Sequence, residues 1–103
     1  MKVLWTVESR RDLSEIRDYI SLDSPSGADR VFRAIVDSTK RLIRFPQSGR
    51  RVPGWPREHL REVIAPPYRV VYTVEDRGVV VLAVLHGKRD AAAFLSRLRG
   101  EQE

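Results

Sequence analysis

The sequence predicts an α+β domain: an N-terminal helical hairpin packed on an antiparallel β-sheet, closed by a short C-terminal helix. Three observations carry that expectation. Apolar residues recur at helical spacing through two consecutive segments, roughly residues 9–22 and 25–43. Tyr68–Glu75 then alternates in the strand period, and Val79–Leu85 is an unbroken apolar run joined to it by Asp76-Arg77-Gly78. At 103 residues the chain has room for one such domain, spanning 1–103, and not for two.

Each element has a local reason. In Lys2–Val7, Val3, Trp5 and Val7 alternate with Lys2, Leu4 and Thr6, which predicts a short strand. Ser9 with Asp12 three residues on reads as a capping box for the first helix. Leu13, Ile16 and Ile20 form its apolar stripe, with Tyr19 beside them. Ser24 is a helix cap, and Pro25 suits the first helical position because it has no N–H to satisfy. Val31, Phe32, Ile35, Val36, Leu42 and Ile43 continue the period to about Ile43. Phe45-Pro46 breaks the pattern, and prolines 46, 53 and 56 with glycines 49 and 54 predict a loop through about Arg57. Three strands follow: Glu58–Ala65, Tyr68–Glu75 after a Pro66-Pro67 turn, and Val79–Leu85. Gly78 is expected at positive φ in the second hairpin, and the run at Val79–Leu85 is expected inside the sheet, where both faces are covered. Asp90 would cap the last helix, with Ala91, Phe94, Leu95 and Leu98 as its stripe.

Composition narrows the function. With 42% hydrophobic and 32% charged residues the chain suits a globular, water-soluble domain rather than a disordered one. The longest apolar run, seven residues, is far short of the roughly 20 that cross a bilayer. The N-terminus has no signal-like apolar stretch, and cysteine is absent, which excludes disulfide scaffolds, cysteine metal sites and thiol nucleophiles. A cytoplasmic location is expected. The net charge of +5 is unevenly placed: residues 40–61 hold Lys40, Arg41, Arg44, Arg50, Arg51, Arg57 and Arg61 against Glu58 alone, so the whole surplus lies there. Such a stretch reads either as a solvated loop or as the contact for an anionic partner.

Candidate chemistry is sparse. His59 and His86 have no neighbours at metal-ligand spacing, and there is no phosphate-binding glycine loop or nucleophile elbow, so neither metal nor cofactor is expected. The stronger constellation spans three strands: Arg61, Arg69, and His86 followed by Lys88 and Arg89. Cleavage of RNA needs a base for the 2′-OH, cations for the developing phosphorane charge and an acid for the leaving oxygen. Histidine and arginine can fill those roles without a metal. Each residue also has a structural reading: His86 closing a strand, Arg69 on a solvent side, Arg61 paired with Glu58 or Glu62. Trp55 is either a base-stacking residue or a lid on the core, and Tyr68 and Tyr72 read as core or cross-strand pairs.

Taken in order, several motifs resemble the RelE/ParE toxins of bacterial type II toxin–antitoxin modules, also described as plasmid stabilisation proteins. They are Asp12-Leu13…Ile16…Tyr19-Ile20, Ser24-Pro25, Phe45-Pro46…Gly49-Arg50, Leu60-Arg61-Glu62, Tyr68-Arg69-Val70-Val71-Tyr72 and Val84-Leu85-His86-Gly87-Lys88-Arg89-Asp90. The resemblance covers nearly the whole chain. It implies a small α+β toxin held inactive by a cognate antitoxin with an acidic C-terminal segment.

It also implies one of two activities: inhibition of DNA gyrase, as in ParE-like members, or metal-independent cleavage of ribosome-bound mRNA, as in RelE-like endoribonucleases. In the second case Arg61, Arg69 and His86 are the catalytic candidates. In either case Arg50, Arg51, Arg57, Lys88 and Arg89 are candidates for contact with nucleic acid or target. Gly87 follows His86, no tyrosine follows Tyr72, and a further helix continues to about Leu98, a pattern closer to ParE-like members. The gyrase reading is therefore the expected one. A homologue that has lost toxicity and only binds partners is the third reading.

Overall fold

The computed structural model describes residues 1–52, 59–87, 90, 93–94 and 96–97. Five strands, β1 (Val3–Trp5), β2 (Arg50–Arg51), β3 (Arg61–Ala65), β4 (Tyr68–Glu75) and β5 (Gly78–His86), form one sheet in the order β1-β5-β4-β3-β2. Two helices, α1 (Val7–Ser21) and α2 (Pro25–Ser38), cover one face and are followed by a 3₁₀ turn at Lys40–Ile43. The expected helical hairpin on a sheet is what the chain forms.

The departures have local causes. Helix α1 starts before Ser9: Thr6 is its cap, and the Thr6 hydroxyl accepts from the Ser9 N–H at 3.1 Å. Ser9 instead donates its hydroxyl to the Thr6 carbonyl and is buried. Ser24 caps α2 as expected, accepting from the Gly27 N–H at 3.0 Å, with Pro25 in the first turn. The α-helix ends at Ser38, short of Ile43, because Ser38 and Thr39 turn their hydroxyls back onto the carbonyls of Ile35 and Val36. That back-bonding competes with the regular ladder, and the chain tightens into the 3₁₀ turn.

The expected loop through Arg57 contains β2, a two-residue edge strand that pairs Arg50 with Glu62 and Arg51 with Arg61. Strand β3 starts at Arg61, after His59 and the buried Leu60. Residues 53–58 lie outside the described residues, as do Ala91, Leu95 and Leu98 of the expected last helix. Ala93, Phe94, Ser96 and Arg97 are helical, and the Phe94 N–H bonds to the Asp90 carbonyl.

The sheet is not wholly antiparallel. Strand β1 runs parallel to β5, pairing Val3–Trp5 with Val79–Val81. Gly78 permits this: its φ is +140°, and a Cβ there would stand 2.6 Å from the Lys2 carbonyl oxygen. A bulge between β4 and β5 sets Val71 against Ala83 but Tyr72 against Val81, so Leu82 is the extra residue. The bulge changes which parity of β5 faces the helices. Both parities must therefore be apolar, and Val79–Leu85 is continuously so.

Two cores result. On the helix side Leu13, Ile35 and Leu42 pack on Val63, Val70, Tyr72, Val79, Val81 and Val84. On the other side Val52, Leu60, Val71, Ala83 and Leu85 pack with Phe94 of the C-terminal segment. Each fully buried aliphatic side chain contributes about 1.5–3 kcal/mol.

Past β1, the outer edge of β5 has no strand neighbour among the described residues, and side chains bond to it. Asp12 Oδ2 accepts from the Val84 N–H at 3.0 Å, and Asp90 Oδ2 accepts from the His86 N–H at 2.8 Å. Arg97 donates to both Asp12 oxygens and to the Leu82 carbonyl. Asp12 thus ties α1, β5 and the C-terminal segment together. Asp12→Ala is expected to cost about 1–2 kcal/mol by leaving the Val84 N–H without its acceptor. Asp12→Asn, which keeps an acceptor, is expected to cost less; urea denaturation of both variants checks this.

Candidate functional site

The register fixes where the candidate strand residues lie. Arg61 pairs with Arg51 and Tyr72, and Tyr68 pairs with Ala65 and His86. Paired residues share a face, so Arg61 and His86 lie on the helix side with Tyr72 and Tyr68. Arg69 pairs with Ile64 and Leu85 and lies on the other side. Arg61 and His86 are also at opposite ends of that face. Their β4 partners are four residues apart and the two residues are two strands apart, which puts their backbones roughly 16 Å from one another. The structure does not bring the three together on one surface.

Arg69 is occupied. Its Nη1 donates to Glu62 Oε1 at 3.3 Å, and its Nε and Nη2 donate to the Gly87 carbonyl at 3.1 and 2.7 Å. Glu62 is fully buried, and its second oxygen accepts from Arg50 Nε. Glu62 follows Arg61 in β3, so alternation turns it away from the helices toward Arg69 and Arg50. A carboxylate this deep is retained only when paired. The two guanidinium groups supply that pairing, and Glu62 in turn neutralises charge in the basic stretch. The sequence suggests Glu62 only as a partner for Arg61, whereas it pairs with Arg69 and Arg50. The available signal was its parity: Glu62 shares one with Ile64, opposite to Val63 and Ala65.

Arg61 joins a second network, centred on Tyr72. The Tyr72 hydroxyl, fully buried, accepts from the Gly49 N–H at 2.9 Å and donates to the Pro46 carbonyl at 2.7 Å. Arg61 Nη1 donates to the Gly49 carbonyl at 2.8 Å. Gly49 is required by the close approach: a Cβ there would be 2.5 Å from Tyr72 Oη and 2.7 Å from the Glu62 carbonyl oxygen. The Phe45-Pro46…Gly49-Arg50 motif is thus a loop pinned to the sheet by one tyrosine and one arginine.

His86 is partly exposed, with its ring edge-on to Tyr68 at 5.3 Å between centroids. It lines a cleft of about 440 Å³ with Asp12, Glu15, Tyr19, Tyr68 and Asp90. Among the described residues the charged side chains that line it besides His86 are acidic, and one of them, Asp12, is paired with Arg97. Arg50 and Arg51 are exposed on the sheet edge. Arg57, Lys88, Arg89 and Trp55 lie outside the described residues. Among the described residues no group of three His, Asp or Glu side chains is placed to hold a metal, and no helix is long and apolar enough to cross a membrane.

A family model described as the ParE toxin of the type II toxin–antitoxin system parDE matches residues 3–91. The chain belongs to the ParE toxin family. It is 34% identical over 88 residues to Toxin RelE2 of Caulobacter vibrioides, covering 85% of this chain and 97% of that toxin. The fold matches a chain of the chromosomal ParDE system from P. aeruginosa with a TM-score of 0.71 at 24% identity, covering 84% of this chain and 96% of that one. It also matches a chain of the toxin–antitoxin complex RelBE2 from Mycobacterium tuberculosis, with a TM-score of 0.60 at 26% identity, covering 82% and 95%. The ParE-family fold and the toxin class are therefore shown.

Burial pushes the Tyr72 hydroxyl pKa up from its ordinary 10.0, while the Gly49 N–H and the Arg61 and Arg41 guanidinium groups pull it back down in part. A raised folded-state pKa contributes stability that is fully present below the unfolded value and lost as pH rises toward the folded one. Tyr72→Phe is expected to lose about 1–3 kcal/mol near neutral pH, because Gly49 N–H and Pro46 C=O lose their partner. The variant is also expected to lose less stability than the parent as pH rises above 10.0. Chemical denaturation at neutral and alkaline pH measures both effects.

Proposed function

We propose that this ParE-family toxin acts by inhibiting DNA gyrase when free of its antitoxin. One observation carries the reading: the strand arginine best suited to stabilise a cleavage transition state, Arg69, is bound to a buried glutamate and a backbone carbonyl. A nuclease site needs its base, acid and cation around one phosphate. Here His86 lines a cleft whose other charged residues, among those described, are Asp12, Glu15 and Asp90; Arg61 lies at the far end of the same face, and Arg69 lies on the other face. A toxin that works by blocking a large enzyme needs a contact surface and no such convergence. The match to a model described for ParE supports the same choice.

The partner proposed for the resting state is a cognate antitoxin with an acidic C-terminal segment. The solved relatives come from toxin–antitoxin systems, and the chain's surplus of positive charge suits an acidic partner. Ribosome-dependent mRNA cleavage is the second reading, favoured by the 34% identity to a toxin named RelE2.

Expression without antitoxin is expected to arrest growth. In a supercoiling assay with purified gyrase the toxin is expected to inhibit, and His86→Ala and Arg61→Ala to leave that inhibition largely intact. If instead mRNA is cut in a translating extract, supercoiling is untouched, and His86→Ala reduces cutting by about 100-fold or more, the gyrase reading fails.

A further inference from the structure

Among the described residues, the basic stretch divides into cations that pair with a carboxylate and cations that do not. Lys40 pairs with Asp37 at 2.9 Å, and Arg50 pairs with Glu62. Among the described residues no carboxylate pairs with Arg41, Arg44, Arg51 or Arg61; the nearby acids, Asp37 and Glu62, are already taken. Arg41, Arg44 and Arg51 are exposed.

Arg41 and Arg61 both lie within electrostatic reach of the buried Tyr72 hydroxyl, and the backbone sets Arg44 beside Arg41 and Arg51 beside Arg61. Arg61 holds the Gly49 carbonyl, while the Arg44 and Phe45 N–H groups both bond to the Arg41 carbonyl. Arg51 stands directly opposite Arg61 on the edge strand. Like charges in cross-strand register are destabilising, so the fold here carries a repulsion that an anion would relieve. Beside them Phe45 is 63% exposed, over a groove of about 510 Å³ lined by Arg44, Phe45, Pro46, Gln47 and Ser48.

We propose that this rim, Arg41, Arg44, Arg51 and Arg61 with Phe45, binds single-stranded nucleic acid, the arginines taking backbone phosphates and Phe45 stacking on an unpaired base. The charge suits any polyanion, but the exposed ring distinguishes the ligand. An unpaired base offers a π-face to it, whereas a duplex hides its bases and an acidic peptide has none. The proposal concerns direct binding and does not rest on the gyrase reading.

The test is fluorescence anisotropy of labelled oligothymidylate with the purified 103-residue chain, repeated across salt concentrations. A duplex of equal length and a polyglutamate peptide serve as competitors. Three or four neutralised phosphates predict a slope of log K against log salt of about −2 to −3, at about −0.7 per phosphate for a single strand. Arg41→Gln and Arg51→Gln are each expected to weaken binding several-fold and to remove about 0.7 from the slope. Phe45→Ala is expected to weaken it about fivefold or more with the slope unchanged. Arg51→Gln relieves the cross-strand repulsion, so its unfolding midpoint is expected to hold or rise, which separates lost binding from lost fold. Arg11→Gln, at an exposed arginine of α1 that is not part of the rim, supplies the charge control. The proposal is overturned if Arg11→Gln weakens binding as much as Arg51→Gln, or if the duplex binds as tightly and Phe45→Ala has no effect. It is also overturned if polyglutamate displaces the strand more readily than unlabelled oligothymidylate does.

Discussion

A single buried carboxylate sets the conditions for much of this molecule. Glu62 has no solvent exposure and sits in the sheet among arginines from two other strands. Removing such a group from water is costly, and the cost is met only by charge-assisted hydrogen bonds from both sides. Arg50 supplies one and Arg69 the other, so Glu62 holds the edge strand β2 to β3 and orients the guanidinium on β4. Arg69 then has its remaining N–H groups aimed at the Gly87 carbonyl, where the chain leaves β5. One pairing thereby links three strands and the start of the C-terminal segment.

The same pairing decides the chemistry of that face. An arginine that neutralises a buried acid is not free to stabilise charge on a substrate, and the positive potential of the strand surface falls accordingly. Among the described residues of the basic stretch, Arg61 lies on the other side, where it and Arg41 are near the Tyr72 hydroxyl and no carboxylate pairs with either. The stretch that looks uniform in sequence thus holds both cations paired with a carboxylate and cations that are not.

Local signals carried far in this chain. Ser24-Pro25 gave the start of α2, and the period of Tyr68–Glu75 with the Asp76-Arg77-Gly78 turn gave the central hairpin, because these depend on residues near each other in the chain. The parallel pairing of β1 with β5 was not legible, since it joins residues more than seventy positions apart and no turn announces it. Nor was β2, whose two residues lie among prolines and glycines. For the candidate site, residue type was legible and direction was not. Arg61, Arg69 and His86 are adjacent-strand neighbours on paper, but a one-residue change of parity sends Arg69 to the opposite face. Asp12 shows the same limit: at capping-box spacing from Ser9, it serves instead as acceptor for a β5 amide and partner to Arg97.

Arg69 is thus a structural partner of Glu62 rather than a free cation. A double-mutant cycle with Glu62→Gln, Arg69→Gln and the pair, followed by urea denaturation, measures this directly. Each single change is expected to cost about 3–5 kcal/mol, since it leaves the other charge poorly compensated. The double variant is expected to cost clearly less than the sum, with a coupling of about 2 kcal/mol or more. Additive losses within about 0.5 kcal/mol would show that the two groups do not depend on one another and would contradict the account.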